Sequence, residues 1–203
     1  MYFGWAPLAP GSLAAFRRLC RPGLKVYEII GQTEAVVCHR FHIDRNLGMY
    51  LREAPAVNHV GKPSPLLAST VMDDEGRDLR GQPGVQGEAV YRSPAMFSGY
   101  YRDEKATEEA FAGGWFHSGD SFVYHDDDVR LMVDRYKDIV KSGGENVSSI
   151  RVEAVLQQHP QVARAAVIGM PDERWGEAVT ACVIPTRPGE FDEQAVIAFA
   201  RER

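Results

Sequence analysis

The stretch Gly31-Gln32-Thr33-Glu34 follows an apolar, strand-like run from Lys25 to Ile30 and precedes a second apolar run from Ala35 to Cys38. A glycine there lets backbone approach a ligand closely, the Thr33 hydroxyl can donate to a phosphate oxygen, and Glu34 can hold a magnesium ion that also takes phosphate oxygens and water. The alternative is a turn whose Thr and Glu only cap it or face water. A second candidate is Asp120, in Trp115-Phe-His-Ser-Gly-Asp120. A carboxylate behind a glycine can offer two oxygens to a vicinal diol such as that of ribose, or it can be a solvated turn residue. The third is Asp134-Arg-Tyr-Lys-Asp-Ile-Val-Lys-Ser-Gly-Gly-Glu-Asn-Val147, where charge dominates and apolar side chains are confined to Ile139, Val140 and Val147. It reads either as an exposed hairpin closed by Gly143-Gly144 or as a hinge and ligand loop in which Arg135 and Lys137 meet an anion.

The elements that must position these residues follow from pattern. Ser12 is the expected N-cap of a helix through Cys20 with Leu13, Phe16, Leu19 and Cys20 on its apolar face, stopped by Arg21-Pro-Gly. Residues 43–83 are rich in turn signals around short extended runs, Pro55 among them, and predict a small β subdomain of barrel or sandwich kind. A helix capped by Asp103 and ended by Gly113-Gly114 comes next, then a hairpin whose tip is Asp126-Asp-Asp; three consecutive carboxylates rarely converge on one ion, so this reads as a turn. Beyond residue 148 the pattern is helix, strand, strand, helix. Ser149 caps the first helix over Val152, Val155 and Leu156, and Asp192 opens the last over Ala195, Val196 and Phe199. That is a small α+β domain.

The 203 residues suit one large domain or two small ones. Apolar content of 44% and charged content of 25% are ordinary for a globular protein, and no apolar run approaches the ~20 residues of a membrane span. A net charge of −5 with scattered basic residues argues against a nucleic-acid surface. Cys20, Cys38 and Cys182 are isolated, no signal peptide is visible, and a reduced, cytoplasmic protein without structural zinc is expected.

In order along the chain stand Gly31-Gln-Thr-Glu34, Gly99-Tyr-Tyr, Trp115-Phe-His-Ser-Gly-Asp120, Asp134-Arg-Tyr-Lys-Asp138, Ser142-Gly-Gly-Glu-Asn-Val147, Val167-Ile-Gly-Met-Pro-Asp172 and Trp175-Gly-Glu177. With these motifs the chain, from about Gly4 onward, resembles the AMP-forming acyl-CoA synthetases of the adenylate-forming superfamily. The resemblance implies a mixed α/β and α+β fold. Residues 1–136 would be the C-terminal part of the large domain, a strand and helix portion with a small barrel-like subdomain, and 137–203 a small mobile domain, with a hinge at about 135–138. It also implies an acid–CoA ligase that uses ATP, magnesium and coenzyme A, with a carboxylic acid, expected to be a fatty acid, as the substrate. A non-catalytic nucleotide- or CoA-binding remnant and an adenylation domain that loads a carrier protein are the alternatives.

Carried over by motif, Thr33 contacts phosphate, Glu34 magnesium, Asp120 the ribose hydroxyls, Arg135 the ribose or phosphate edge, and Lys137 is the hinge residue. Gly31 and Gln32 belong to the nucleotide loop, and Gly143 and Gly144 line the pantetheine passage. Trp175 is either a plug under its loop or a stacking surface for the CoA adenine. Ile30 stands where the family mostly has an aromatic residue that stacks on adenine. Glu28 lies near the adenine amine, and Arg151 replaces the first Glu of the family's Glu-Ile-Glu helix start while Glu153 keeps the second. The family's upstream phosphate loop ending in Pro-Lys-Gly and its C-terminal catalytic lysine have no counterpart in this sequence. A piece of such an enzyme, clipped at both ends, is the expectation.

Overall fold

The computed structural model describes every residue except 5–7, 21, 55, 56, 188 and 203, and leaves out the side chains of Val37 and Asp126. The expected loop at Arg21 and the turn at Pro55 therefore fall outside the described residues. The chain divides into two compact units, Met1–Val133 and Asp134–Arg203. No described helix is long and apolar enough to cross a membrane.

In the first unit a short β1 (Tyr2–Phe3) pairs parallel with β2 (Tyr27–Gln32), which turns back antiparallel into β3 (Val36–His42). β4 (Asn58–Pro63), β5 (Ala68–Met72), β6 (Gln86–Arg92), β7 (Phe116–Tyr124) and β8 (Arg130–Arg135) complete a hydrogen-bonded series in the order β1-β2-β3-β4-β8-β7-β6-β5. The strands expected in a small β subdomain thus continue the sheet begun by β2 and β3. One apolar cluster, built on Cys38, Val71, Ala89, Tyr91, Phe116 and Phe122, fills the β3 to β7 side. Another gathers Leu13, Val26, Phe41, Ile43, Tyr50 and Val129 beneath the helices.

The helices of this unit correct the pattern in two places. α1 (Pro10–Leu19) begins with proline at its first turn behind Ala9, so Ser12 lies inside the helix and caps nothing. Proline needs no N–H and arrives with a helical φ, which sets the start upstream of the hydroxyl. Of the expected apolar face Leu13 is buried, whereas Phe16 and Leu19 are exposed. α2 (Leu47–Glu53) was not expected at all: it is under two turns long, contains Gly48, and anchors through the buried Tyr50. α3 (Glu104–Ala110) has the expected cap, the Asp103 carboxylate accepting from the Ala106 N–H at 2.9 Å. The Asp126–Asp128 segment is a 3-10 turn between β7 and β8, and no metal-binding cluster exists among the described residues.

The second unit is a four-stranded antiparallel sheet, β9 (Ile139–Ser142), β10 (Glu145–Ser148), β11 (Val162–Asp172) and β12 (Gly176–Pro185), in the order β10-β9-β12-β11, with α4 (Ser149–Leu156) and α5 (Glu193–Arg201). Leu156, Val162, Val167 and Val196 form its core. The cap of α4 is Ser148, accepting from the Arg151 N–H, rather than Ser149, which is already helical. Asp192 caps α5 as expected through the Ala195 N–H. Val196 faces the core and Phe199 meets His159 edge-on, but Ala195 is exposed.

Candidate functional site

The turn between β2 and β3 holds the first candidates. Gly31 and Gln32 pair with Val37 and Val36 after a register shift at Ile30/Gly31, and the Ala35 N–H closes the turn on the Gln32 carbonyl at 3.1 Å. Thr33 is exposed at the tip and Glu34 is half-buried. The turn leans on the segment that follows β6. The Phe97 N–H donates to the Glu34 carbonyl at 2.9 Å, and the Tyr100 hydroxyl donates to Glu34 Oε1 at 3.2 Å. Tyr100 is itself fixed by its N–H on Thr107 Oγ1 of α3 at 2.9 Å. Val36, which leaves the turn, has φ of 56° and is 62% exposed. A β-branched residue in the left-handed region is strained, and nothing is buried in exchange.

Asp120 lies in the interior of β7, only 4% exposed, which overturns the solvated-turn alternative. Gly119 before it has φ of 71°, so the strand bulges there. The neighbourhood of Asp120 is readable from Cys38 on β3. Burial first, then the Asp120 and Glu34 carboxylates, push this thiol up to about 12, against a lowering hydrogen bond from the Gln32 backbone. The Asp120 and Glu34 carboxylates thus both act electrostatically on one buried thiol. A hard cation such as Mg²⁺ takes one or two protein carboxylates and completes its shell with phosphate and water. Glu34, with one oxygen on Tyr100 and the side chain half open, fits that duty.

Glu28 is placed differently. Its Oε1 accepts from the Leu8 N–H at 3.1 Å and the Tyr50 hydroxyl at 3.0 Å, and its Oε2 is buried without a partner. The carboxyl is 3% exposed, and desolvation raises it to about 7 against those two hydrogen bonds. Glu28 is thus held by the segment before α1 and by Tyr50 of α2 through one oxygen. Ile30 packs against the first apolar cluster. Local sequence marks no task for Tyr100, in Gly99-Tyr-Tyr, or for Glu88. The partners of both lie far along the chain.

In the second unit, Arg135 ends β8 and is exposed, as is Lys137 in the 3-10 turn Tyr136–Asp138. Asp134 is 1% exposed and accepts from the Arg135 N–H at 2.7 Å, the Ser148 and Ser149 hydroxyls at 3.0 and 2.9 Å, and the Ile150 N–H at 3.2 Å. It ties the expected hinge segment to the start of α4. Gly143 and Gly144, at φ of 60° and 88°, form the tip of the β9–β10 hairpin. A Cβ on Gly143 would lie 2.8 Å from the Trp175 ring, and the Gly143 N–H donates to the Trp175 carbonyl at 2.8 Å. Trp175 is 48% exposed, one edge over Gly143 and its face 4.7 Å from the Arg174 guanidinium, so it is a cover over the turn rather than a buried plug. Glu177 Oε2 accepts from the Lys141 N–H at 2.6 Å, joining β12 to β9.

Comparison with known proteins places this arrangement. Residues 1–101 match the AMP-binding enzyme family and 151–203 the AMP-binding enzyme C-terminal domain. The chain is 42% identical over 143 residues to 4-hydroxybutyrate–CoA ligase 2 of Metallosphaera sedula, covering 70% of this chain and 26% of that protein. It is 37% identical over 201 residues to 4-coumarate–CoA ligase-like 9 of Oryza sativa subsp. japonica, covering 98% and 35%. The structure of the amide bond synthetase McbA from Marinactinospora thermotolerans superposes with a TM-score of 0.72 at 34% identity, over 100% of this chain and 39% of that one. The chain therefore spans between about a quarter and two fifths of these relatives. Two family matches in the order and spacing of the two compact units, and relatives named as CoA ligases, leave one assignment: the chain belongs to the adenylate-forming superfamily of AMP-binding enzymes.

Proposed function

We propose that the chain is the nucleotide-handling and CoA-handling part of an AMP-forming acid–CoA ligase. In the first half-reaction a carboxylate oxygen of the acid bonds to the α-phosphorus of ATP as the bond to pyrophosphate breaks. In the second, the CoA thiol, losing its proton, bonds to the acyl carbon and AMP leaves. Charge stabilisation and positioning dominate such steps.

The observations that support this reading are Glu34, half-open on a turn braced by Phe97 and Tyr100, and the Asp120 carboxylate, buried behind Gly119 on β7. In it, Thr33 donates to phosphate from a turn shaped by Gly31 and Gln32, Glu34 holds magnesium, and Asp120 accepts from the ribose diol. Magnesium, when bound, offsets phosphate charge. Arg135 reaches the ribose or phosphate edge, and Lys137 lies within a hinge at 135–138 between domains 1–136 and 137–203. Gly143 and Gly144 pass the pantetheine arm, although turn geometry and the Trp175 contact already require glycine at 143. Trp175, with half its surface open, offers its indole to the CoA adenine. The acid is a fatty acid in this reading, and the setting cytoplasmic, in keeping with free Cys20, Cys38 and Cys182.

Two measurements test it. Titration with AMP should show binding that Asp120→Asn weakens about tenfold or more, the worth of hydrogen bonds to a charged group. Unchanged affinity would remove the ribose role. Pyrophosphate release with fatty acids, 4-hydroxybutyrate and 4-coumarate, each with ATP and CoA, then tests the acid class. The likeness to an amide bond synthetase favours a second reading, in which an amine rather than CoA takes the acyl group. Amide formed when CoA is replaced by an amine, with no thioester formed from CoA, would select it.

A further inference from the structure

Asp120 owes its position to an irregular strand, and the irregularity has a specific support. Across the β6–β7 ladder Glu88 stands opposite Ser121 and Val90 opposite His117, so Ala89 alone faces Ser118, Gly119 and Asp120. Residues looped out of a ladder lose their backbone partners, and buried amides then need other acceptors. Side chains provide them here. The Asp120 N–H donates to Ser118 Oγ at 3.1 Å, and the Gly119 N–H donates to Glu88 Oε1 at 2.9 Å. The second oxygen of the same carboxylate, Oε2, takes His117 Nδ1 at 2.7 Å. His117 Nε2 lies 3.2 Å from the Ala112 carbonyl oxygen. Both ring nitrogens thus lie against oxygen atoms, and the ring bridges the Glu88 carboxylate and the Ala112 carbonyl.

We propose that Glu88 is a positioning residue for Asp120, its carboxylate clamping the Gly119 bulge on one oxygen and His117 on the other so that the Asp120 side chain is aimed at a ribose diol. This rests on the reading of Asp120 given above. Glu88 touches no substrate. A two-pronged carboxylate on the neighbouring strand restores the hydrogen bonding that the bulge gave up, and it fixes the residues on either side of Gly119 in one geometry. A shorter or apolar side chain leaves the Gly119 amide unpaired and the bulge free to relax. Glutamine retains the clamp: its oxygen accepts from Gly119, and its NH₂ donates to Nδ1 of a neutral His117 whose Nε2–H keeps the Ala112 carbonyl.

The test compares AMP with 2′,3′-dideoxy-AMP in equilibrium titrations of the wild-type chain, Glu88→Ala, Glu88→Asp, Glu88→Gln, Asp120→Asn and the Glu88→Ala/Asp120→Asn pair. The wild type should prefer AMP by about tenfold or more. Glu88→Ala and Glu88→Asp should bring that preference close to that of Asp120→Asn, the double variant should fall no further, and Glu88→Gln should stay within about threefold of wild type. The ¹H–¹⁵N resonance of Gly119 should move in Glu88→Ala without nucleotide present. Should the alanine variant fail to fold, the aspartate and glutamine variants decide alone. A merely structural Glu88 would weaken both nucleotides equally and add to the loss in Asp120→Asn, which overturns the proposal. If Asp120→Asn keeps the preference, or the wild type shows none, the ribose reading itself has failed. If Asp120→Asn abolishes the preference while Glu88→Asp and Glu88→Ala keep it, only the role of Glu88 has.

Discussion

The two β-hairpins that carry motif glycines, β2–β3 in the first unit and β9–β10 in the second, are built alike and completed differently. Each has a buried carboxylate near its root and a glycine at its tip. In β9–β10 the root carboxylate, Asp134, has four donors, and the tip takes two left-handed glycines, of which Gly143 lies beneath Trp175. Its polar groups and its conformation are accounted for by its own unit. In β2–β3 the root carboxylate, Glu28, has donors on one oxygen and none on the other. Its tip shows Thr33 to solvent, and the left-handed residue is a valine. Strain and an exposed hydroxyl at one tip stand against completeness at the other, and that contrast is what the nucleotide role proposed for the β2–β3 turn rests on.

Breaking the complete hairpin at its root should have the largest effect. Asp134→Ala leaves the Ser148 and Ser149 hydroxyls and the Ile150 N–H without that acceptor, and should cost about 3 kcal/mol or more in denaturant unfolding, at roughly 1 kcal/mol or more per stranded group. A loss under about 1 kcal/mol would mean that the network is dispensable.

The root of the other hairpin should respond in the opposite direction and depend on pH. Because the folded Glu28 titrates near 7 and its unfolded form near 4.5, its stability contribution is present below 4.5 and is lost as pH rises through 7. Glu28→Gln should therefore gain about 2–3 kcal/mol at pH 8 relative to its effect at pH 4. Equal effects at both pH values would contradict the raised carboxyl.

At the tips the effects are smaller. Gly143→Ala meets both a left-handed φ and the Trp175 ring, and should lower stability by about 2 kcal/mol, whereas Gly144→Ala, with open space around it, should cost closer to 1. Adding Trp175→Ala to Gly143→Ala should recover the difference; if it does not, the indole is not what excludes a side chain there. Val36→Gly should stabilise by roughly 0.5–1 kcal/mol, the relieved strain exceeding the added chain entropy of glycine. A lower melting temperature would show that the valine side chain contributes more than its exposure implies. Thr33→Ala should move the melting temperature least, within about 0.5 kcal/mol for an exposed side chain, while weakening AMP or ATP binding about two- to tenfold. Loss of stability without loss of affinity would return Thr33 to an ordinary turn residue.

How much of this was legible varies by residue, and the physics explains the pattern. Caps at Asp103 and Asp192, the hairpin at Gly143-Gly144 and the strand periods depend on neighbours within a few residues, so local spacing carries them. Motif order gave the superfamily and with it the candidate residues Thr33, Glu34 and Asp120. Pattern failed at α1, where proline rather than Ser12 sets the start, and at α2, whose short helix is held by what Tyr50 reaches.

Residue types, their order and the local turns are properties of the sequence alone, because each is decided by covalent geometry and near neighbours. That Asp120 is buried rather than solvated, that Glu28 is turned into the core, that Tyr100 props Glu34 across 66 positions and that Glu88 holds the bulge across 31 were decided by the tertiary structure. Burial and hydrogen bonding between distant strands depend on which strands pair and in which register. No short window of residues contains that information.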